Sequence, residues 1–274
     1  MSKIIEEKID TLQYTIGIRK TESDLSEKTL ILFHGFGQTA AIFDPLMIYL
    51  SNKYNCIALD LFFHGNSDWK KKEILTDDDW NAVLIAIINK YDLHRFEILG
   101  YSLGARFALN TFYNMPSRVV NMYLIAPEGL YNNMFYDLVL KNKLTRYIFK
   151  RTMLHPEWFV FILKKIRKFK LMNPLLVRFA ELNLNSKQNR LKIYKTWVYF
   201  KELITDFGEV RFMIKKHGVN LSLILAKNDA IIENDKLKLL TKKIKNLQIH
   251  EYNCSHNQLI NHLPKFFENF IKRG

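Results

Sequence analysis

Two cysteines in 274 residues, Cys56 and Cys254, leave no disulfide framework, and a reducing cytoplasm is the expected compartment. No run of ~18 apolar residues is present to span a bilayer. The opening stretch Met1 to Lys8 carries Glu6 and Glu7 where a secretory leader has its apolar core, so no signal peptide is expected. Low-complexity stretches and internal repeats are missing as well. The histidines show no metal-ligand spacing and the cysteines are far apart, so neither a metal nor another cofactor is expected.

What is present is the composition of a globular protein, 48% hydrophobic and 25% charged, long enough for a substantial core. The formal charge of +14 suggests nucleic acid until it is mapped. Residues 127–218 hold 19 Lys/Arg against 7 Asp/Glu, and the rest of the chain 22 against 20. Basicity therefore belongs to one segment that has no recognised binding motif, and no nucleic-acid partner is expected.

Apolar runs alternate with helical segments. Residues 9–19 alternate on a two-residue period, as a half-exposed opening hairpin or strand does. Buried strands are expected at Thr29 to Phe33, Cys56 to Leu61, Phe96 to Tyr101, Val119 to Ala126, Val219 to Ala226 and Leu247 to Tyr252. Helices are expected at Ala40 to Leu50 after Thr39, and from Thr76-Asp77-Asp78-Asp79 to about Tyr91. Two more are expected at Asn234 to Lys243 and Leu263 to Lys272. Such alternation defines an α/β fold, a mostly parallel sheet flanked by helices on both faces.

The most informative stretch is Glu97 to Arg106. An apolar strand runs into Gly100-Tyr101-Ser102-Leu103-Gly104 and then a helix, the setting of a nucleophile elbow. A serine hydroxyl needs a base, itself oriented by an acid, and these follow it in the order acid, then histidine. Asp229 lies three residues beyond an apolar strand and His256 just past the last one. In an open parallel sheet the strand ends converge on one rim. Asp229 has the humbler option of capping the next helix, with Asp235 near enough to compete; His94, His155, His217, His250 and His262 read as surface residues. For the developing oxyanion, the backbone N–H groups of Leu103 and of Phe36, in the loop His34-Gly35-Phe36-Gly37, are the expected donors. That loop lacks the lysine and third glycine of a phosphate cradle.

On these residues the chain resembles the α/β-hydrolase superfamily in its lidded form. His34-Gly35-Phe36-Gly37 is similar to the family's oxyanion loop, and Asp60-Leu61-Phe62-Phe63-His64-Gly65-Asn66-Ser67 to its Asp-x-x-Gly-His-Gly-x-Ser segment. Phe63 replaces the usual glycine, and Cys254 stands where a glycine often precedes the histidine region. His64 is read as structural or rim-forming. The resemblance implies a core of 1–127 and 219–274, with a helical lid, 128–218, inserted after the sixth strand. Aromatics such as Tyr131, Phe135, Trp158, Phe169 and Trp197 supply its apolar surface, and Asn173-Pro174 breaks it near the middle. Its stretch Lys164 to Lys170 is basic and amphipathic. A solvated charged face is the simpler reading, and weak contact with a membrane surface or amphiphile the other.

The reaction implied is cleavage of an ester or thioester of a medium-sized, largely apolar acyl group through an acyl-enzyme on Ser102. Tyr101, Arg106 and Trp158 are candidate substrate-binding residues. The Ser-Leu-Gly-x-Arg pattern also resembles the menaquinone-pathway synthase of this superfamily, which implies carbon–carbon chemistry on an acidic substrate with Arg106 as its partner. A non-catalytic receptor on the same fold is the third reading. Acyl group, leaving group and oligomeric state are not specified by the sequence.

Overall fold

The structure, a computed structural model, describes residues 3–22, 26, 28–131, 134–140, 142–159, 161, 165, 184, 186–203 and 206–271. The chain opens with a hairpin of β1 (Ile4–Asp10) and β2 (Tyr14–Thr21), paired antiparallel from Ile4 opposite Thr21 to Asp10 opposite Thr15. The two-residue alternation of residues 9–19 thus crosses the turn between two strands. The strands β3 (Thr29–Phe33), β4 (Asn55–Leu59), β6 (Phe96–Tyr101), β7 (Val119–Ile125), β8 (Asn220–Asn228) and β9 (Leu247–Ser255) follow, with a two-residue β5 (Asp68–Trp69) on β2. The spatial order is β1-β2-β4-β3-β6-β7-β8-β9, parallel from β4 onward. β5 carries too few residues for a sequence pattern, and it makes the strand before the inserted segment the seventh.

Both faces of the sheet are covered. On one, Trp80 of α2 (Asp77–Tyr91) meets Phe33 and also Phe107 of α3 (Leu103–Asn114) edge to face. On the other, Tyr123 of β7 packs on Phe266, Phe267 and Phe270 of α9 (Leu263–Ile271). Phe33, Trp80, Tyr123 and Phe267 are fully buried. Beside α9 a carboxylate is buried within the sheet: Glu97 of β6 accepts from Tyr54 Oη at 3.2 Å and Tyr123 Oη at 2.7 Å. Burial, and then that carboxylate, pushes both phenols above their ordinary range.

Local signals explain most boundaries. α2 starts with a reciprocal capping box between Thr76 and Asp79 and ends at Asp92 in the left-handed region. α7 (Phe207–His217) is capped by Asp206 and closed by Gly218 at φ 67°. The expected helix after Thr39 instead begins as a 3₁₀ turn, Ala40–Phe43, before α1 (Asp44–Leu50), which has proline in its first turn. Thr39 makes no side-chain cap; the Ala40 N–H goes to Asp60 Oδ1 at 2.7 Å. The cap comes from a distant loop, which no local pattern reveals. α8 (Asn234–Thr241) is short, and a 3₁₀ turn, His256–His262, separates β9 from α9.

The chain divides into two compact units. The first holds the sheet and the helices above. The second, Glu73–Leu75 with Asn132–Glu202, contains α4 (Met134–Leu140), α5 (Lys143–Leu154) and α6 (Lys187–Tyr199). Its interior is aromatic: Phe149 of α5 stacks on Trp197 of α6, whose carbonyl accepts from Tyr136 Oη at 2.9 Å. Arg190 binds the carbonyls of Met153 and Leu184, each at 2.8 Å. Phe169, Asn173-Pro174 and, apart from Lys165, the basic run Lys164 to Lys170 lie outside the described residues, as does the Phe135 side chain.

Candidate active site

β3, β6, β8 and β9 are parallel, so their carboxyl ends share one rim of the sheet. His34 to Gly37 leaves β3, Ser102 leaves β6, Asp229 leaves β8 and His256 leaves β9. Ser102 sits at φ 52°, ψ −116°, a conformation that costs an L-residue of order 1–3 kcal/mol and persists only if its surroundings over-determine it. They do. Its N–H donates to Ile125 O at 2.8 Å, and its carbonyl accepts from Ala105 N at 3.0 Å and Glu128 N at 3.1 Å. A Cβ at position 104 would run into the carbonyl of Phe33, and one at position 100 would lie 2.5 Å from Ala105 Cα. Both glycines of the pentapeptide are therefore demanded by close approach.

Three side chains meet. His256 Nε2 lies 3.1 Å from Ser102 Oγ, and Nδ1 lies 2.7 Å from Asp229 Oδ2. Asp229 Oδ1 accepts the Ile231 and Ile232 N–H groups at 2.8 and 2.9 Å, which fixes the carboxylate plane. The Asp229 side chain is wholly shielded from solvent. A carboxylate acceptor at Nδ1 sets the tautomer in which Nε2 accepts the hydroxyl proton. Asp235 in the first turn of α8 makes no such contact, its place being taken by Asp229.

Around the serine, the Gly35 backbone lies against the elbow: a Cβ there would stand 3.3 Å from Ser102 Cβ. Within this loop Gly35 N–H donates to Gln38 Oε1 and Gly37 N–H to His64 Nε2, each at 3.1 Å. The Phe36 N–H between them has no protein acceptor among the described residues, and Leu103, first in α3, has no intrahelical one. His64 Nδ1 donates to Phe62 O at 3.0 Å, so this ring is held neutral with its proton on Nδ1. His34 does the same beside it, accepting Leu61 N–H at 2.9 Å. Asp60 takes the N–H groups of Ala40 and Asn66, each at 2.7 Å, which ties this segment together. Phe63 stands at φ 66°, the backbone state that favours the glycine it replaces. Cys254 is buried in β9 with ordinary φ, and burial and then Asp229 raise its thiol pKa.

The remaining candidates have other surroundings. Tyr101 is buried, and its hydroxyl donates to the His256 carbonyl at 3.1 Å, so it holds the histidine rather than facing a ligand. Burial, and then Asp229, pushes its phenol up to about 12. Arg106 is buried one turn into α3, with Nη2 2.6 Å from Glu128 Oε1. Trp158 belongs to the second unit, half-exposed and edge-on to Phe159. Glu128 and Gln38 were not signalled by the sequence; each lies in a loop, with no spacing to mark its partner.

A parallel sheet with a serine elbow after its central strand is the architecture of the α/β hydrolases. The chain belongs to that family, the alpha/beta hydrolase fold, whose model matches residues 28–263. It is similar to the 2-(acetamidomethylene)succinate hydrolase of Mesorhizobium japonicum, 29% identical over 121 residues, 44% of this chain and 42% of that protein. It is also similar to the pimeloyl-[acyl-carrier protein] methyl ester esterase of Legionella pneumophila, 30% identical over 96 residues, 35% of this chain and 36% of the relative. These matches span less than half the length of either relative. The 2-hydroxy-6-oxo-6-phenylhexa-2,4-dienoate hydrolase of Rhodococcus sp. strain RHA1 shares the fold, with a TM-score of 0.68 at 16% identity over 99% of both chains.

Proposed function

We propose that the protein is a serine hydrolase that cleaves a carboxylic ester or thioester of a medium-sized, largely apolar acyl group. The observation that carries this is the unbroken relay Ser102–His256–Asp229, with contacts of 3.1 and 2.7 Å. In the proposed reaction Ser102 Oγ attacks the acyl carbonyl while His256 Nε2 takes its proton, and Asp229 stabilises the imidazolium. The Leu103 and Phe36 N–H groups receive the oxyanion. Collapse expels the alcohol or thiol, protonated by His256, and leaves an acyl-enzyme. Water, deprotonated by the same histidine, then releases the acid and restores the serine.

Carbon–carbon chemistry on an acidic substrate asks Arg106 to meet a carboxylate. Glu128 already binds that guanidinium, which favours ester or thioester cleavage. The esterase among the relatives is in keeping with this choice. We further propose that the inserted unit acts as the lid; its place in the chain between β7 and α7 supports this. A cytoplasmic location is part of the proposal, in keeping with the two unpaired, buried cysteines.

A fluorophosphonate probe is expected to label the full-length protein at Ser102, and Ser102→Ala and His256→Ala to abolish labelling. A folded wild-type protein that resists the probe would sink the enzyme reading in favour of a receptor. p-Nitrophenyl esters and acyl-CoAs of graded chain length then define the acyl group. Loss of turnover in Arg106→Ala with simple ester cleavage intact would favour the carbon–carbon reading instead.

A further inference from the structure

α5 has two apolar faces. One packs inside the second unit, where Phe149 meets Tyr194 and Trp197, and Met153 joins Leu184. Among the described residues nothing covers the other: Leu144, Tyr147 and Ile148, spaced i, i+3, i+4, are 66%, 59% and 47% exposed, and Leu154 extends the stripe. Single exposed apolar residues need no explanation, but an aligned group on one helix face does. Cations accompany the stripe: Lys143 and Lys150 border it on one side, and Arg151, i+3 from Ile148, lies on it. Residues 138–156 contain five Lys/Arg and no Asp or Glu, and Lys143, Lys150 and Arg151 are exposed. The same pairing recurs nearby in the chain, where Lys165 Nζ sits 4.6 Å over the exposed ring of Phe161.

We propose that this face of α5 docks on the surface of an anionic lipid bilayer. An apolar stripe of about 15 Å, the length of ten helical residues, lies in the plane of an interface and does not cross it. No helix of the described residues is long and apolar enough to span a membrane. Tyr147 suits a headgroup boundary, with an apolar ring and a polar tip. Lys143 and Lys150 at the edge of the stripe and the long side chain of Arg151 on it supply positive charge for lipid phosphates, and the stretch has no carboxylate to repel an anionic surface. Shallow insertion and charge are each marginal alone; together they hold a protein at a membrane.

The test is flotation of the full-length protein with phosphatidylcholine vesicles, with and without phosphatidylglycerol, at low and high salt. It reads binding and does not depend on the hydrolase proposal. Expected is flotation only with the anionic vesicles, reduced at least about tenfold by high salt. Leu144→Ser/Tyr147→Ser/Ile148→Ser and Lys143→Gln/Lys150→Gln/Arg151→Gln should each lose a similar factor, with unchanged thermal unfolding because the altered side chains are exposed. The proposal fails if neither vesicle binds, if both bind equally, or if the variants float like wild type. It also fails if light scattering finds a dimer that the serine variant converts to monomer, which would assign the face to a second copy of the chain.

Discussion

The hydroxyl of Tyr101, the residue before the elbow serine, donates to the carbonyl of His256 at 3.1 Å, tying the end of β6 to the turn after β9. The rings of the two residues also lie 5.5 Å apart, so the histidine is held by its backbone and along one side. Its position relative to Ser102 therefore depends on a residue with no part in the proposed proton transfer. Tyr101→Phe keeps the ring and removes the bond. We expect a fall in kcat of about tenfold, the equivalent of one buried hydrogen bond, with KM nearly unchanged. An unaltered kcat would remove this positioning role.

Asp229→Asn retains the shape of the acid and removes its charge. An amide facing Nδ1 no longer enforces the tautomer in which Nε2 accepts a proton. Ester turnover is expected to drop by about 10³ to 10⁴, measured against wild type with a p-nitrophenyl ester. Asp235→Asn, outside the relay, should leave it within about twofold, the scatter of a surface substitution.

Gly104→Ala places a methyl group against the Phe33 carbonyl. Backbone, not a flexible side-chain tip, must move, so a loss of roughly 3 kcal/mol in chemical denaturation is expected, as for overpacked cores. Stability equal to wild type would show that the elbow can relax.

At position 63 the informative comparison is between two variants, since both remove the ring. With φ at 66°, glycine is favoured over alanine by the cost of placing a Cβ in the left-handed region. Phe63→Gly should therefore be more stable than Phe63→Ala by about 1 kcal/mol in urea unfolding. The reverse order would mean that the loop changes its backbone when the ring is lost.

Glu7 bridges Lys20 and Lys90, each at 2.9 Å, and these bonds, that of Lys20 first, lower its pKa from 4.5 to about 2. A carboxylate whose folded pKa is depressed adds stability that is complete above its unfolded pKa and lost as pH falls through the folded one. The advantage of wild type over Glu7→Gln should be about 1 kcal/mol at neutral pH, solvent screening included, and decline between pH 4.5 and about 2. A difference independent of pH would show that the bridge contributes through packing alone.

Much of this protein is local and therefore legible. The run Thr29 to Phe33, the Thr76–Asp79 box and the pentapeptide around Ser102 specify their own backbone, because chain neighbours supply the constraint. The order of Asp229 and His256 along the chain followed from strand ends, which sequence also marks. Tertiary structure alone decided the rest. The Tyr101–His256 tether, the Arg106–Glu128 pair, the His64–Gly37 bond and the cap that Asp60 lends to Ala40 join residues far apart in the chain, from different helices, loops and strand ends. Such contacts carry no periodicity, since their geometry arises only when parallel strands bring separate loops to one rim. Sequence named the groups suited to the chemistry; the sheet set their distances, and with them which bonds those groups make.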